Sequence, residues 1–138
     1  MKAGLVFIFF AALVPSIANA TTMYDTDLAE LASQLRADMI QVERMTPAQR
    51  FADTALRHDM FEIEKTAHRL SEEAMAANLR LEQQGQAPSL ELESASAASD
   101  EIDLAQSLTT TFMDTGNPIF WKQAQQVATM ARNVIASR

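Results

Sequence analysis

An apolar stripe with helical spacing constrains the fold of this chain more than any other feature. Apolar side chains recur at alternating steps of four and three residues, and the series comprises Leu56, Met60, Ile63, Ala67, Leu70, Ala74, Ala77 and Leu81. Steps of this kind keep successive side chains on one face of an α-helix. The stripe therefore predicts a long helix that buries this face in a bundle core or a coiled coil.

Capping signals indicate where this long helix begins and ends. Thr46 stands in front of Pro47, and Gln49 follows three positions after the threonine. This order is typical of a capping box with proline at the first helical position. Gly85 interrupts the pattern at the other end. The sequence therefore predicts a continuous helix at about 47–84.

Three further helices are predicted around the long one. The first covers about 26–45, where apolar residues again follow steps of four and three. A third begins at about 99–100 and ends before Gly116, a residue suited to the end of a helix. Asn117 caps a fourth helix, which has Pro118 at its first position and continues to near the C-terminus.

The segment 85–99 separates the second and third predicted helices. It is rich in Gln, Pro, Ser, Ala and Glu, which predicts a flexible acidic linker. We therefore predict an all-α fold with a single helical domain at 21–138, built as a small bundle of about four helices with one long central helix. The pattern leaves open whether the apolar stripe is buried within one chain or in a homodimer.

The first twenty residues have the organisation of a secretory signal peptide. Lys2 is followed by an apolar run at 3–14 and by the small-residue ending Ala18-Asn19-Ala20. The order predicts cleavage after Ala20 and a periplasmic or secreted product. No later stretch is apolar and long enough to span a bilayer, so we expect a soluble mature chain without a transmembrane segment.

Charge and cysteine content narrow the classes of partner and chemistry. The formal net charge is -7, which argues against nucleic acid and anionic membrane surfaces as partners. The chain has no cysteine, which excludes disulfides, thiolate metal sites and a cysteine nucleophile. No nucleophile motif or glycine-rich phosphate loop is found either. We therefore predict a protein that is not an enzyme and has no cofactor.

The two histidines each have a glutamate at helical distance. His58 precedes Glu62 by four residues, and Glu64 precedes His68 by four. Such pairs contain metal-ligand groups. At 100° per residue, however, the two pairs point in different directions, which favours solvated surface pairs without a metal. A metal- or ligand-responsive bundle that uses these four residues is the alternative interpretation.

The aromatic pair at Phe120 and Trp121 is the clearest candidate for a binding site. Neighbours on a helix point about 100° apart, so a buried Phe120 leaves the indole on the shoulder of the helix, near Lys122 and Gln125. An exposed Trp is a typical binding anchor. We therefore predict a protein-binding surface at Trp121, Lys122 and Gln125. The alternative is that Trp121 covers the end of the bundle, near Tyr24 or Phe51.

Two short segments are similar to known families. Phe51 and Ala55, followed by Met60-Phe61-Glu62-Ile63-Glu64, resemble the opening helix of exported bacterial proteins of unknown function with a ferritin-like four-helix fold. The segment Met45-Thr46-Pro47-Ala48-Gln49-Arg50 is similar to the Leu-Thr-x-x-Gln signature of small periplasmic helical chaperones and stress sensors, with Met45 at the leucine position. The first resemblance implies a four-helix bundle, and the second implies binding of proteins.

These observations together predict an exported, non-enzymatic helical protein. Its expected role is that of an envelope adaptor, chaperone or assembly accessory that binds another protein of the cell envelope through its long helix or the Trp121 region.

Overall fold

The computed structural model describes residues 24–138, and every regular element within that range is an α-helix. In chain order the helices are α1 at 24–44, α2 at Pro47–Ala52, α3 at Thr54–Gln83, α4 at Leu90–Thr115 and α5 at Pro118–Ala136. The predicted all-α fold is thus confirmed for these residues. The predicted signal peptide at 1–20 lies outside the described residues.

The four long helices form an antiparallel bundle. At one end the guanidinium of Arg138 pairs with the carboxylate of Asp25 and donates a hydrogen bond to the carbonyl of Glu91. At the other end Arg57 on α3 pairs with Asp114 on α4, with nitrogen and oxygen 2.6 Å apart. The helices α1 and α4 therefore run in one direction, and α3 and α5 run in the other.

The main core is built from one face of each long helix. Its buried members are Leu28, Leu31, Leu35 and Met39 of α1, Met60, Ile63, Ala67, Leu70 and Ala74 of α3, Leu92, Ala95, Ala98, Ile102 and Ala105 of α4, and Ala124, Ala128 and Ala131 of α5. Alanine is frequent among them, which lets the helices approach closely. The predicted stripe of α3 is buried as far as Ala74 within this one chain.

A second core closes the end of the bundle at which α2 lies. Val42, Leu56, Phe112 and Met113 are buried there, and Phe120 and Trp121 pack against them. Arg50 of α2 covers this cluster, because its guanidinium lies 4.5 Å from the centre of the Phe112 ring. The same guanidinium donates a hydrogen bond of 2.9 Å to the carbonyl of Met45.

The prediction of one continuous helix at about 47–84 is wrong at Asp53. This residue has φ -78° and ψ 97°, an extended conformation that ends α2 and precedes α3. The side chain of Asp53 accepts a hydrogen bond of 2.8 Å from the backbone N–H of Leu56. Asp53 therefore acts as an N-cap, and the chain changes direction in front of the apolar stripe.

The prediction of a flexible linker at 85–99 is also wrong for most of its length, since α4 begins at Leu90. Ser89 caps this helix by accepting a hydrogen bond from the N–H of Leu92. The side chain of Asn78 on α3 holds the backbone of Ser89 through two hydrogen bonds of 2.7 and 3.2 Å. The third of the four predicted helices, which is α4 in the structure, therefore starts at Leu90 and not near 99–100 as predicted.

The other helix ends agree with the sequence. Thr46 and Gln49 form both hydrogen bonds of the predicted capping box, at 3.3 and 3.0 Å. Gly116 has φ 67°, the left-handed conformation that ends α4. Asn117 caps α5, and Pro118 takes its first position.

Candidate docking groove

The predicted histidine and glutamate pairs lie on the exposed surface of α3. The Nε2 of His58 is 3.8 Å from a carboxylate oxygen of Glu62, whereas the Nζ of Lys65 is only 2.9 Å from it. The hydrogen bond from Lys65 lowers the pKa of Glu62. The lysine is thus the closer partner of Glu62.

The second predicted pair, Glu64 with His68, does not form. The Nε2 of His68 lies 3.1 Å from the carboxylate of Glu72, one turn further along α3. In the described range 24–138, no three His, Asp or Glu side chains are arranged so that they could hold a metal ion. The four residues of the alternative metal site are therefore not brought together.

The predicted binding residue Trp121 is half-buried. Its ring lies 5.2 Å from the ring of Phe112, centre to centre, with the planes tilted by 32°. Its neighbour Lys122 is exposed. With the exposed Gln125, Trp121 lines a cleft of about 220 Å³ between α1 and α5, whose other walls include Arg36 of α1. The indole therefore packs on the second core and also borders an open surface.

A second cleft, between α1 and α3, contains a buried carboxyl group that the sequence analysis missed. This α1–α3 cleft has a volume of about 290 Å³ and is lined by Gln34, Ala37, Asp38, Asp59, Glu62 and Ile63. Asp38 is only 8% exposed, and it forms part of the wall of this open cleft. Burial, together with the charge of Asp59, raises the pKa of Asp38 to about 6.

A depression larger than both clefts lies on the outer side of α3 and α4, and we call it the α3–α4 groove. Its volume is about 670 Å³. It is lined by Met75, Ala76, Asn78, Leu79 and Glu82 of α3, by Pro88 of the connection, and by Leu92, Glu93, Ser96, Ala97 and Asp100 of α4. The hydroxyl groups of Ser71 and Ser96 are 3.0 Å apart, which ties the two helices together beside the groove.

Large apolar side chains stand open to solvent in this groove. Met75 is 61% exposed and Leu79 is 54% exposed, one helical turn further along α3. Small side chains at Ala76 and Ala97 leave the space between the two helices unfilled. The groove therefore offers an apolar surface that the described part of the chain does not cover.

The charged residues of the groove all have the same sign. Glu82 stands on the α3 side, and Glu93 and Asp100 stand on the α4 side. Among the described residues that line the groove, none is Lys, Arg or His. Both walls of the groove therefore carry carboxylates next to the apolar centre.

The sequence carried a partial signal for each site. Met75, Leu79 and Glu82 follow steps of four and three, a second stripe on α3 beside the buried one. Asp38 directly precedes Met39, a member of the apolar series of α1, and so lies beside the core face.

Comparisons of the chain with protein-family models, with curated proteins and with solved structures find no match. Between residues 24 and 138, no helix is both long enough and apolar enough to cross a membrane.

Proposed function

We propose that this protein is an exported, non-enzymatic adaptor or chaperone that binds a helix of another envelope polypeptide in the α3–α4 groove. The exposure of Met75 and Leu79 in a groove between α3 and α4 is the observation that carries the proposal. Both side chains are large and apolar, and methionine adapts its shape to different partners. An apolar patch that is open to solvent and rimmed by polar residues is typical of a protein-binding surface.

The dimensions of the groove suit a short helical segment. From Leu92 to Asp100 the α4 wall rises by about 12 Å, since each helical residue adds about 1.5 Å. An amphipathic helix that presents apolar side chains at i, i+3 or i+4, and i+7 covers about the same length. Such a helix would lie beside α3 and α4 as a further element of the bundle.

A second copy of this chain is a poor occupant of the groove. A symmetric pairing of two grooves would place Glu82, Glu93 and Asp100 of one copy against the same carboxylates of the other. Like charges in such an arrangement repel, and their burial would add a desolvation cost. The partner is therefore a different polypeptide.

The proposed location rests on the signal-peptide pattern that ends at Ala20. Mass spectrometry of the exported protein should find Thr21 as its first residue. A product that keeps Met1 and stays in the cytoplasm would contradict the proposed location.

Site-specific crosslinking in the native host tests the proposed function. A photoreactive residue at position 75 should crosslink to an envelope protein, whereas the same residue at position 130 should not. Met130 is a matched control, because it is a methionine of similar exposure that does not line the groove.

The crosslinked segment is then identified, synthesised and added to the purified protein. We expect it to gain helix content on binding, and we expect Met75→Gln but not Met130→Gln to weaken the complex. Equal crosslinking from both positions, or binding that is insensitive to Met75→Gln, would contradict the proposal.

A further inference from the structure

We infer that the helix bound in the α3–α4 groove is basic, with Lys or Arg residues at one end of its apolar stripe and along the side that faces α4. This inference rests on the proposed function and adds the chemical class of the partner. It follows from the charges of the two groove walls and from their positions along α3 and α4.

The carboxylates of the groove are placed to meet cations beside a bound helix and at one of its ends. Glu82 continues the line of Met75 and Leu79 along α3, so it meets one end of a helix that lies on them. Glu93 and Asp100 stand beside that helix, on the α4 wall. Glu93 and Asp100 are seven residues apart on one helix, which is two turns or about 10 Å. Cations two turns apart on the partner would match this spacing.

The basic residues of α3 nearest the groove are turned away from it. Arg69 is paired with Glu73 at 3.1 Å. Arg80 lies eleven residues, or about three turns, after Arg69, on the same face of α3. Neither of them lines the groove. Glu82 is therefore not neutralised by either of these arginines of its own helix.

The net charge of the whole chain also favours a basic partner. A formal charge of -7 attracts a basic segment over longer distances and slows the approach of an acidic one. The apolar centre of the groove would supply most of the binding free energy, and the carboxylates would select the partner.

Three synthetic peptides test the sign of the charge. Each has about 14 residues, the same apolar stripe of Leu at i, i+3 or i+4, and i+7, and Lys, Gln or Glu at all flanking positions. Binding to the purified exported protein is measured by fluorescence anisotropy. We expect the Lys peptide to bind at least about tenfold tighter than the Glu peptide in dilute buffer, with a difference that shrinks as salt is added.

Two charge-matched variants locate the effect. Glu82→Gln with Glu93→Gln removes two carboxylates from the groove, whereas Glu30→Gln with Glu43→Gln removes two from the exposed surface of α1. We expect the groove pair to weaken the Lys peptide by about three- to tenfold and to leave the Gln peptide unchanged. The α1 pair should change the affinity for either peptide by less than about twofold.

The outcomes separate this inference from the proposed function. If all three peptides bind equally and Met75→Gln weakens each of them, the groove binds helices without regard to charge, and only the inference is overturned. It is also overturned if both carboxylate pairs have the same effect on the Lys peptide. If none of the peptides binds at about millimolar concentration, the proposed function and the inference both fail.

Discussion

Polar side chains are usually exposed and large apolar ones buried, and the α1–α3 cleft and the α3–α4 groove are opposite exceptions to this rule. In the cleft a carboxyl group, that of Asp38, is almost fully buried, whereas in the groove Met75 and Leu79 are more than half exposed. Both surfaces use α3, and they lie on either side of its buried stripe. One helix therefore borders an acid with reduced hydration and an apolar patch that is open to solvent.

The cleft affects the stability of the fold, whereas the groove affects binding. A carboxyl group loses hydration when it is buried without a partner, so Asp38 destabilises the folded state at neutral pH. Met75 and Leu79 are exposed before and after folding, so they contribute little to stability and keep their apolar surface for a ligand. Substitutions in the cleft should therefore change stability, and substitutions in the groove should change affinity.

The largest effect is expected when a second acid is placed in the cleft. Ile63 is buried on α3 and lines the cleft together with Asp38. Ile63→Asp would bury another unpaired carboxylate beside the first, and it should lower the free energy of unfolding by roughly 4 kcal/mol or more. Urea denaturation followed by circular dichroism measures this loss.

The adjacent residue provides the control for that variant. Glu62 is exposed, and Glu62→Ala should leave the urea midpoint close to that of the unmodified protein. Similar midpoints for Ile63→Asp and Glu62→Ala would mean that the buried face of α3 is assigned wrongly.

Removal of the acid at Asp38 should raise the free energy of unfolding instead of lowering it. A raised pKa means that the folded state binds a proton more tightly than the unfolded state, so stability falls as pH rises from about 4 towards 6. Asp38→Asn removes this dependence. It should stabilise the protein at pH 7 by about 1–2 kcal/mol, less than the full pKa shift is worth because the cleft admits water.

The measurement is a series of denaturation curves between pH 4 and pH 8 for both proteins. The difference in stability should grow up to about pH 6 and then stay constant. Asp59→Asn should reduce this pH dependence, because the charge of Asp59 contributes to the raised pKa of Asp38. A difference that does not change with pH would show that Asp38 is ionised at an ordinary pKa in the folded state.

Substitutions in the cleft between α1 and α5 should change stability less than Ile63→Asp in the α1–α3 cleft and more than substitutions in the α3–α4 groove. Trp121 is half-buried against Phe112 there, so Trp121→Ala should destabilise the protein by about 2 kcal/mol through lost packing. Thermal unfolding measures this loss, with Lys122→Ala as the exposed control. If Trp121→Ala keeps full stability and weakens partner binding instead, the indole is an exposed anchor, as the sequence suggested.

The smallest effect on stability is expected in the groove. The double variant Met75→Gln and Leu79→Gln should change the free energy of unfolding by no more than about 0.5 kcal/mol. Calorimetric melting provides the measurement. A large loss would show that both side chains are covered in solution and that the groove is closed.

Local signals in the sequence were enough to predict most helix ends. Thr46, Gln49, Gly116 and Asn117 act within one turn of their own backbone, so their roles can be recognised without knowledge of the fold. Asp53 was missed because the apolar stripe begins only at Leu56. Before Leu56, the spacing of apolar residues does not indicate that the chain changes direction.

The start of α4 depends on contacts that the sequence does not display. Ala95 and Ala98 are small and add little hydrophobicity, yet both are buried, because α3 and α4 approach closely. Asn78 holds the backbone of Ser89 from eleven residues away. Half of the α3–α4 groove is formed by the segment that was predicted to be a linker. The groove could therefore not be predicted from the sequence, although Met75 and Leu79 lie on a helix that was predicted.

The break at Asp53 also makes α2 a separate cooperative unit. This six-residue helix has no buried residue of its own, and it is attached to the bundle through the side chain of Arg50 and through Arg57 of α3, which donates hydrogen bonds to the carbonyl of Phe51. Local unfolding of such a segment exposes little apolar surface, so it can occur while the four long helices remain folded. Backbone amides of α2 should therefore exchange with deuterium by local opening, whereas those around Ala67 and Ile102 should exchange only when the whole domain unfolds.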